Sequence, residues 1–357
     1  MRFPGSPRPD PRLVAVAENI RGQLKIMPGK YQKVTIVGCG AMGSLLAAGL
    51  AEVDCELTVI DRGRQFEAIK HAGISVIGPA GQERHCTPAR VVDHFNLAPQ
   101  DLVILAVKTH QISAIAVDVA GLLGESSALI SLQNGIPWWY FGQHHSRFPG
   151  QVLEAVDPGG TIAAAIPGES VIGCVAYPAA TVETPGVTRH VEGYRFPVGA
   201  AQGGNSEHVQ AASSLLEQAG FKAPVLENLR GEVWLKLWGA LAFNPLSMLT
   251  RATMYDIATH PPTRQLVIAM MREAQDIAAE LGVKMRVPLE KRLAGAEKVG
   301  AHKTSALQDL ERGEATELDA LLGSVIELGR LTGMPTNNLQ AVYAACSLLE
   351  KGSCTRT

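Results

Sequence analysis

Residues 33–63, KVTIVGCGAMGSLLAAGLAEVDCELTVIDRG, constrain the fold more than any other stretch, because the hydrophobic period changes twice within them. Val34, Thr35, Ile36 and Val37 form a β-branched run suited to a buried strand. Residues 41–53 are small or helix-forming, and residues 56–60 are strand-like again. Between the first strand and the helix stand Gly38, Gly40 and Gly43, spaced G-x-G-x-x-G. In that position the three glycines provide, in turn, a tight turn, an open path for a pyrophosphate and close helix packing, with the helix N-terminus facing the anion. The unit predicts a doubly wound α/β sheet with a dinucleotide on Gly38, Cys39, Gly40, Ala41, Met42 and Gly43. A tight turn that binds nothing is the alternative.

Asp61 and Arg62 close the second strand and point in opposite directions. An acid there binds the adenine-side ribose of NAD, whereas an arginine accommodates the extra phosphate of NADP. Arg62 and Arg64 place two forked cations where that phosphate would lie, which favours NADP. Solvated surface charges are the alternative.

Two further apolar runs end in polar groups: residues 102–107 before Lys108, and residues 129–132 before Asn134-Gly135. Both read as parallel strands, and the carboxyl edge of such a sheet is where ligands bind, so Lys108 and Asn134 are candidate contacts. A strand-ending surface lysine and an ordinary turn are the alternatives. Residues 171–198 alternate strand-like pieces with turn residues and predict an antiparallel extension of the sheet. The small, polar stretch 200–206 then suggests a boundary, giving an arm at 1–32, a Rossmann domain at 33–201 and a helical domain at 202–357. Helical spacing or composition follows at 206–219, 229–249, 262–281, 288–297, 316–332 and 337–350.

A length of 357 residues suits two domains, and a net charge of −2 argues against nucleic acid as the main partner. Residues 1–30 carry six basic and two acidic groups and five prolines. They read as a flexible arm, or as sequence upstream of the true start with Met27 as initiator. No apolar run approaches the roughly 20 residues of a membrane span, and the first residues lack the apolar core of a signal peptide. Cysteines at 39, 55, 86, 174, 346 and 354 lack the paired spacing of a zinc site or disulfide scaffold, so no metal and a cytoplasmic location are expected.

The segment RGEVWLKLWGALAFNPLSML carries one charge from Leu235 to Thr250, Lys236, on a helix whose Trp234, Leu237, Trp238, Leu241 and Phe243 demand burial. Lys236, Ala240 and Asn244 are four apart and share one stripe, so the helix is expected to line a cavity there, with Pro245 kinking it. Snorkelling of Lys236 along its own stem is the alternative. Thr316 to Asp319 fits a helix-start pattern that puts Glu317 in the first turn, where the dipole would keep it ionised and an acceptor for a substrate hydroxyl; a glutamate that merely serves the dipole is the alternative. Ser305 and Asp309 stand one turn apart before it, with a cap and an exposed acid as their plain reading.

VGCGAMG, LAVKTHQ with LQNG, EVWLKLWGALAFNPL and SALQDLERGEATELD, in this order, resemble the ketopantoate reductase (2-dehydropantoate 2-reductase) family over nearly the whole chain after Lys33. The resemblance implies a Rossmann domain followed by an all-helical domain of the 6-phosphogluconate-dehydrogenase-like type, with the active site between them. It implies NADPH-dependent reduction of 2-dehydropantoate, with Lys236 as catalytic acid and Glu317 holding substrate and cofactor. Asn244 and Ser305 would contact substrate; Lys108, Asn134 and Ala179 would lie near the cofactor. A homodimer is implied as well. One departure stands out: the family usually carries asparagine one turn after the lysine, where this chain has Ala240. A relative reducing a different 2-keto acid is therefore an alternative, with Trp138, Trp139 and Tyr140 available to shape its pocket, core packing or subunit contact being their other reading. A non-catalytic NADP-binding sensor is another, against which the presence of Lys236, Asn244, Ser305 and Glu317 argues.

Overall fold

The structure, a computed structural model, describes residues 30–142, 147–166, 168–203 and 206–354. The expected arm and the Met27 start lie almost wholly outside the described residues. Eleven strands are named in chain order: β1 (Lys33–Val37), β2 (Glu56–Ile60), β3 (Ile74–Ile77), β4 (Glu83–Cys86), β5 (Arg90–Val92), β6 (Gln100–Leu105), β7 (Leu123–Ser131), β8 (Val171–Cys174), β9 (Ala179–Thr184), β10 (Val187–Glu192) and β11 (Val198–Ala200). The main sheet runs β11-β8-β7-β6-β1-β2-β5 and is parallel except for β11. The strand order reverses between β1 and β6, so the ligand crevice of a doubly wound sheet opens at their carboxyl ends.

Side chains alternate through the sheet. Leu102 and Ile104 of β6 face a core with Val34 and Ile36, whereas Val103 and Leu105 face the opposite one. The first core is closed by the helices Ala41–Leu50 and Glu207–Gln218. The second continues without a break into the helical half, through Trp234, Leu237 and Trp238. The helix Leu229–Thr250 is the axis of that half, packed by Pro261–Glu280, Ser305–Glu311, Met254–Thr259 and Asn337–Cys354.

One departure has a plain physical reason. The 171–198 region does not simply extend the main sheet: β8 joins it in parallel and β11 caps its edge, while β9 and β10 leave to form a second sheet, β4-β3-β10-β9. Alternating polarity predicts a strand with one wet face and does not say which sheet receives it. The helix Glu207–Gln218, beyond the expected boundary at residue 201, packs on the sheet, and residues 222 and 225 still bridge to Arg195 and Val198. Helix Leu229–Thr250 is continuous through Pro245, whose carbonyl accepts from Cys346 Sγ at 3.4 Å.

Candidate active site

The glycine-rich loop divides its labour as its spacing requires. Gly38 adopts φ +89°, and a Cβ there would stand 2.6 Å from Val107 Cγ1. A Cβ on Gly43 would stand 2.0 Å from the Gly38 carbonyl oxygen, so only glycine lets the helix sit this close to the loop. Gly40 is exposed, with nothing within 4 Å of the Cβ it lacks. It is the N-cap of the helix Ala41–Leu50, which has no side-chain cap and no acid in its first turn. The free N–H groups and the positive end of the helix dipole are thus left for an anion.

Asp61 is turned into this loop. Its carboxylate accepts from Cys39 N at 2.6 Å and from Arg62 N at 2.7 Å, and burial raises its pKa against both bonds. Arg62 and Arg64 are exposed and form no ion pair among the described residues.

Across the crevice, four remote segments meet. Lys236 Nζ donates to Asn134 Oδ1 at 2.5 Å, and Asn134 Nδ2 donates to Glu317 Oε2 at 2.8 Å. The other Glu317 oxygen accepts from both Thr109 N and Thr109 Oγ1, each at 3.1 Å. Thr109 begins a short helix immediately after Lys108 and was not marked by the sequence, although the strand-end argument that marks Lys108 extends to it. Burial pushes the Lys236 ammonium down to about 8, opposed by Glu317 and Cys174. Lys236 and Ala240 line a small cleft with Gln133, Asn134, Val175 and Leu237. The cavity inferred from the polar stripe is therefore present at Lys236.

The loop of Asn134 is held by geometry as well as by hydrogen bonds. Gly135 has φ +82°, and a Cβ on it would lie 2.0 Å from Ala320 O, which accepts from Ile136 N at 3.2 Å. Ala320 belongs to a π-helical turn, Asp319–Gly323, that begins two residues after Glu317. Such turns offset the hydrogen-bond ladder and are frequent at functional sites. The predicted cap does not form: the Thr316 hydroxyl bonds Glu350 instead, and Glu317 precedes the helix, its carbonyl accepting from Leu321 N at 3.0 Å.

The other predicted residues sit around this core in different states. Lys108 Nζ reaches the helical half, at 3.0 Å from Asp309 Oδ1, 3.1 Å from Glu314 Oε2 and 3.2 Å from Ala315 O. Asp309 is buried and also pairs with Arg312, so it is not an exposed acid. Ser305 is exposed in the first turn of its helix, whose cap is Thr304. Asn244 is half-buried two turns beyond Lys236 and makes no side-chain hydrogen bond among the described residues. Ala179 begins β9, whose Thr181 bonds Gln308 at 3.0 Å. Trp138, Trp139 and Tyr140 do not shape the cleft. They are buried in the core, where Trp139 Nε1 bonds Ser131 Oγ and Tyr140 OH accepts from Trp234 Nε1, both at 2.8 Å.

Sequence reasoning missed Glu232, one turn before Lys236 and almost fully buried. It is bound by Arg195, Arg286 and, at 2.9 Å, by Tyr177 OH. Burial alone would raise its pKa; the bonds from Arg195 and Tyr177 and the charges of Arg195 and Arg286 hold it below the usual carboxylate value. Its spacing of four from Lys236 was the available signal.

A helix N-terminus left open by a glycine-rich loop at the switch point of a doubly wound sheet, with a half-buried lysine on the helical half, is an arrangement suited to a dinucleotide-dependent oxidoreductase. Two family models match, Ketopantoate reductase PanE/ApbA over residues 34–203 and Ketopantoate reductase PanE/ApbA C terminal over residues 228–350. The chain belongs to the ketopantoate reductase family. It is 44% identical to the 2-dehydropantoate 2-reductase of Mesorhizobium japonicum over 313 residues, 87% of this chain and 96% of that protein. A Ralstonia solanacearum protein assigned as a ketopantoate reductase superposes with TM-score 0.85 at 34% identity, covering 90% of this chain and 99% of its own. The 2-dehydropantoate 2-reductase of Methylococcus capsulatus gives 0.75 at 28%, covering 90% and 97%. D-mandelate dehydrogenase, solved with NADH and anilino(oxo)acetate, shares the fold at TM-score 0.77 and 20% identity over 90% of this chain and 99% of that one.

Proposed function

We propose that this oxidoreductase reduces 2-dehydropantoate to pantoate with NADPH, and that Lys236 is its general acid. The observation that carries the reading is the chain Glu317–Asn134–Lys236, which aims a half-buried ammonium into the cleft beyond the carboxyl edge of the sheet. Gly38, Gly40 and the first turn at Ala41, Met42 and Gly43 fit a pyrophosphate, and Arg62 with Arg64 fits a 2′-phosphate. When bound, the reduced dinucleotide supplies hydride to the ketone carbon. The chain's own residues manage the oxygen. Negative charge gathers there, and Lys236 first donates a hydrogen bond to it and then its proton. A pKa of about 8 keeps the group mostly protonated at neutral pH and makes the proton easier to release than from a free lysine. Asn134 holds the ammonium through a neutral acceptor, while Glu317 orients Asn134 and anchors the Lys108–Thr109 turn.

Ala240 supports a second reading with the same chemistry. Together with Val175, Val233, Leu237 and Leu321 it makes the cleft wall apolar where the family usually has an amide, which suits a different, more apolar 2-keto acid. Following nicotinamide absorbance with NADPH or NADH, first with 2-dehydropantoate and then with a panel of 2-keto acids, separates the two. Preference for another keto acid overturns the substrate and leaves the chemistry.

The reading extends to a cytoplasmic homodimer. The cysteines at 39, 55, 86, 174 and 346 are free, and no helix of the described residues is long and apolar enough to cross a membrane. Among the described residues no cluster is suited to a metal ion. Light scattering of the purified chain tests the dimer.

A further inference from the structure

Glu232, Lys236 and Gly239 share one side of the helix Leu229–Thr250, at successive spacings of four and three. Residues so spaced stand about 5–6 Å apart at Cβ. A Cβ on Gly239 would lie 2.8 Å from Arg292 Nη2, 3.1 Å from its Nε and 3.2 Å from its Cζ. The Arg292 guanidinium, reaching over from the helix Leu289–Val299, thus fills the place of a side chain at 239, one helical turn from the lysine.

The charges of this belt do not cancel. Glu232 is already matched by Arg195 and Arg286 and by the Tyr177 hydroxyl. Arg292 forms no ion pair among the described residues, and its Nε is buried without a hydrogen-bond partner. Burial lowers its pKa, with Tyr177 opposing. A buried N–H left unpaired is destabilising, more so on a charged group, so a bound anion completes this site rather than crowding it. Gly239 is what gives the guanidinium room.

We propose that Arg292 binds the carboxylate of the 2-keto acid while Lys236 faces the adjacent ketone oxygen. The proposal rests on the 2-keto acid reading above and adds the residue that recognises the acid. In a 2-keto acid the carboxylate and ketone carbons are bonded to each other, so two cations one helical turn apart address neighbouring oxygens. A guanidinium matches a carboxylate with two parallel N–H donors, which a lysine cannot do. Polar recognition that Ala240 does not supply on one side of Lys236 is supplied by Arg292 on the other.

The test is calorimetric titration of oxamate, a non-reducible 2-keto acid mimic, and of oxamide, its uncharged counterpart, into the NADPH-saturated chain. Arg292→Gln is expected to weaken oxamate at least about tenfold, the size of one charge-assisted hydrogen bond, without weakening oxamide. Arg292→Lys should recover part of the loss. Gly239→Ala should reproduce it by displacing the guanidinium without deleting it. Melting temperature and NADPH affinity report whether each variant is folded. Oxamate affinity equal in wild type and Arg292→Gln, or absent from both, overturns the assignment. Oxamate binding that depends on Arg292, in a chain that turns over no 2-keto acid, leaves the anion site standing and overturns the reductase reading.

Discussion

The glycine-rich loop and the Lys236 cleft both lie beyond the carboxyl edge of the main sheet but are built in opposite ways. The loop is contiguous and made of backbone: Gly38, Gly40 and Gly43 act through the side chains they lack. The cleft is made of side chains from segments far apart in sequence, Thr109, Asn134, Lys236 and Glu317, joined by hydrogen bonds. Damage to the loop should therefore appear as lost binding or lost stability, and damage to the cleft as lost chemistry.

The sharpest way to break that division is Lys236→Ala. General acid catalysis contributes about a hundredfold to ten-thousandfold, or roughly 3–5 kcal/mol of barrier, so turnover should fall by that much while NADPH affinity holds. A loss under about tenfold would remove Lys236 from the acid role. On the loop side, Gly43→Ala forces a methyl group against the Gly38 carbonyl and should cost about 1–3 kcal/mol of stability or more, read as a lower melting temperature. Gly40→Ala meets no protein atom. It should leave the melting temperature alone and weaken NADPH, because only a bound phosphate would meet the methyl. Equal loss of stability in both variants would erase the distinction between packing glycine and ligand glycine.

A subtler break is electrostatic. An acid must be protonated to act, so ketone reduction should fall about tenfold per pH unit above the Lys236 pKa of about 8. The Glu317 carboxylate supports the protonated form, and Glu317→Gln removes that support while keeping the side chain's shape. Its pH profile should begin to fall at lower pH than wild type, with little change in NADPH affinity. An unmoved profile would limit Glu317 to holding Asn134 and Thr109.

The same contrast explains what was legible in the sequence. Gly38, Gly40 and Gly43 could be read in place because the motif, the strand before it and the helix after it are adjacent in the chain. Lys236 could be read because the single charge between Leu235 and Thr250, on a helix whose aromatic and aliphatic residues demand burial, violates the local pattern. Glu232 lay on the same stripe, but nothing in sequence says that Arg195 and Arg286 would fold against it to make a buried acid tolerable. Arg292 was silent for the same reason: it sits on an ordinary amphipathic helix, and its meaning comes from an absent side chain at Gly239. Glu317 and Asn134 were each marked by position, while their direct contact belongs to packing across two domains.

Cofactor choice is the smallest and most local question, and Asp61 and Arg62 frame it. An aspartate at this place selects NAD by receiving the ribose hydroxyls. Here both Asp61 oxygens already accept backbone N–H groups, from Cys39 and Arg62, so the carboxylate acts as a brace for the glycine loop. Arg62 and Arg64 stay exposed and form no ion pair among the described residues, which leaves both free for the 2′-phosphate that the proposed use of NADPH requires. Replacing both by alanine should weaken NADPH about tenfold or more, the loss of one or two charge-assisted bonds, and leave NADH nearly unchanged. Asp61→Ala should weaken both dinucleotides together, since it loosens the loop that carries the pyrophosphate. Equal weakening of NADPH and NADH by the arginine pair would return Arg62 and Arg64 to the solvent and Asp61 to the ribose.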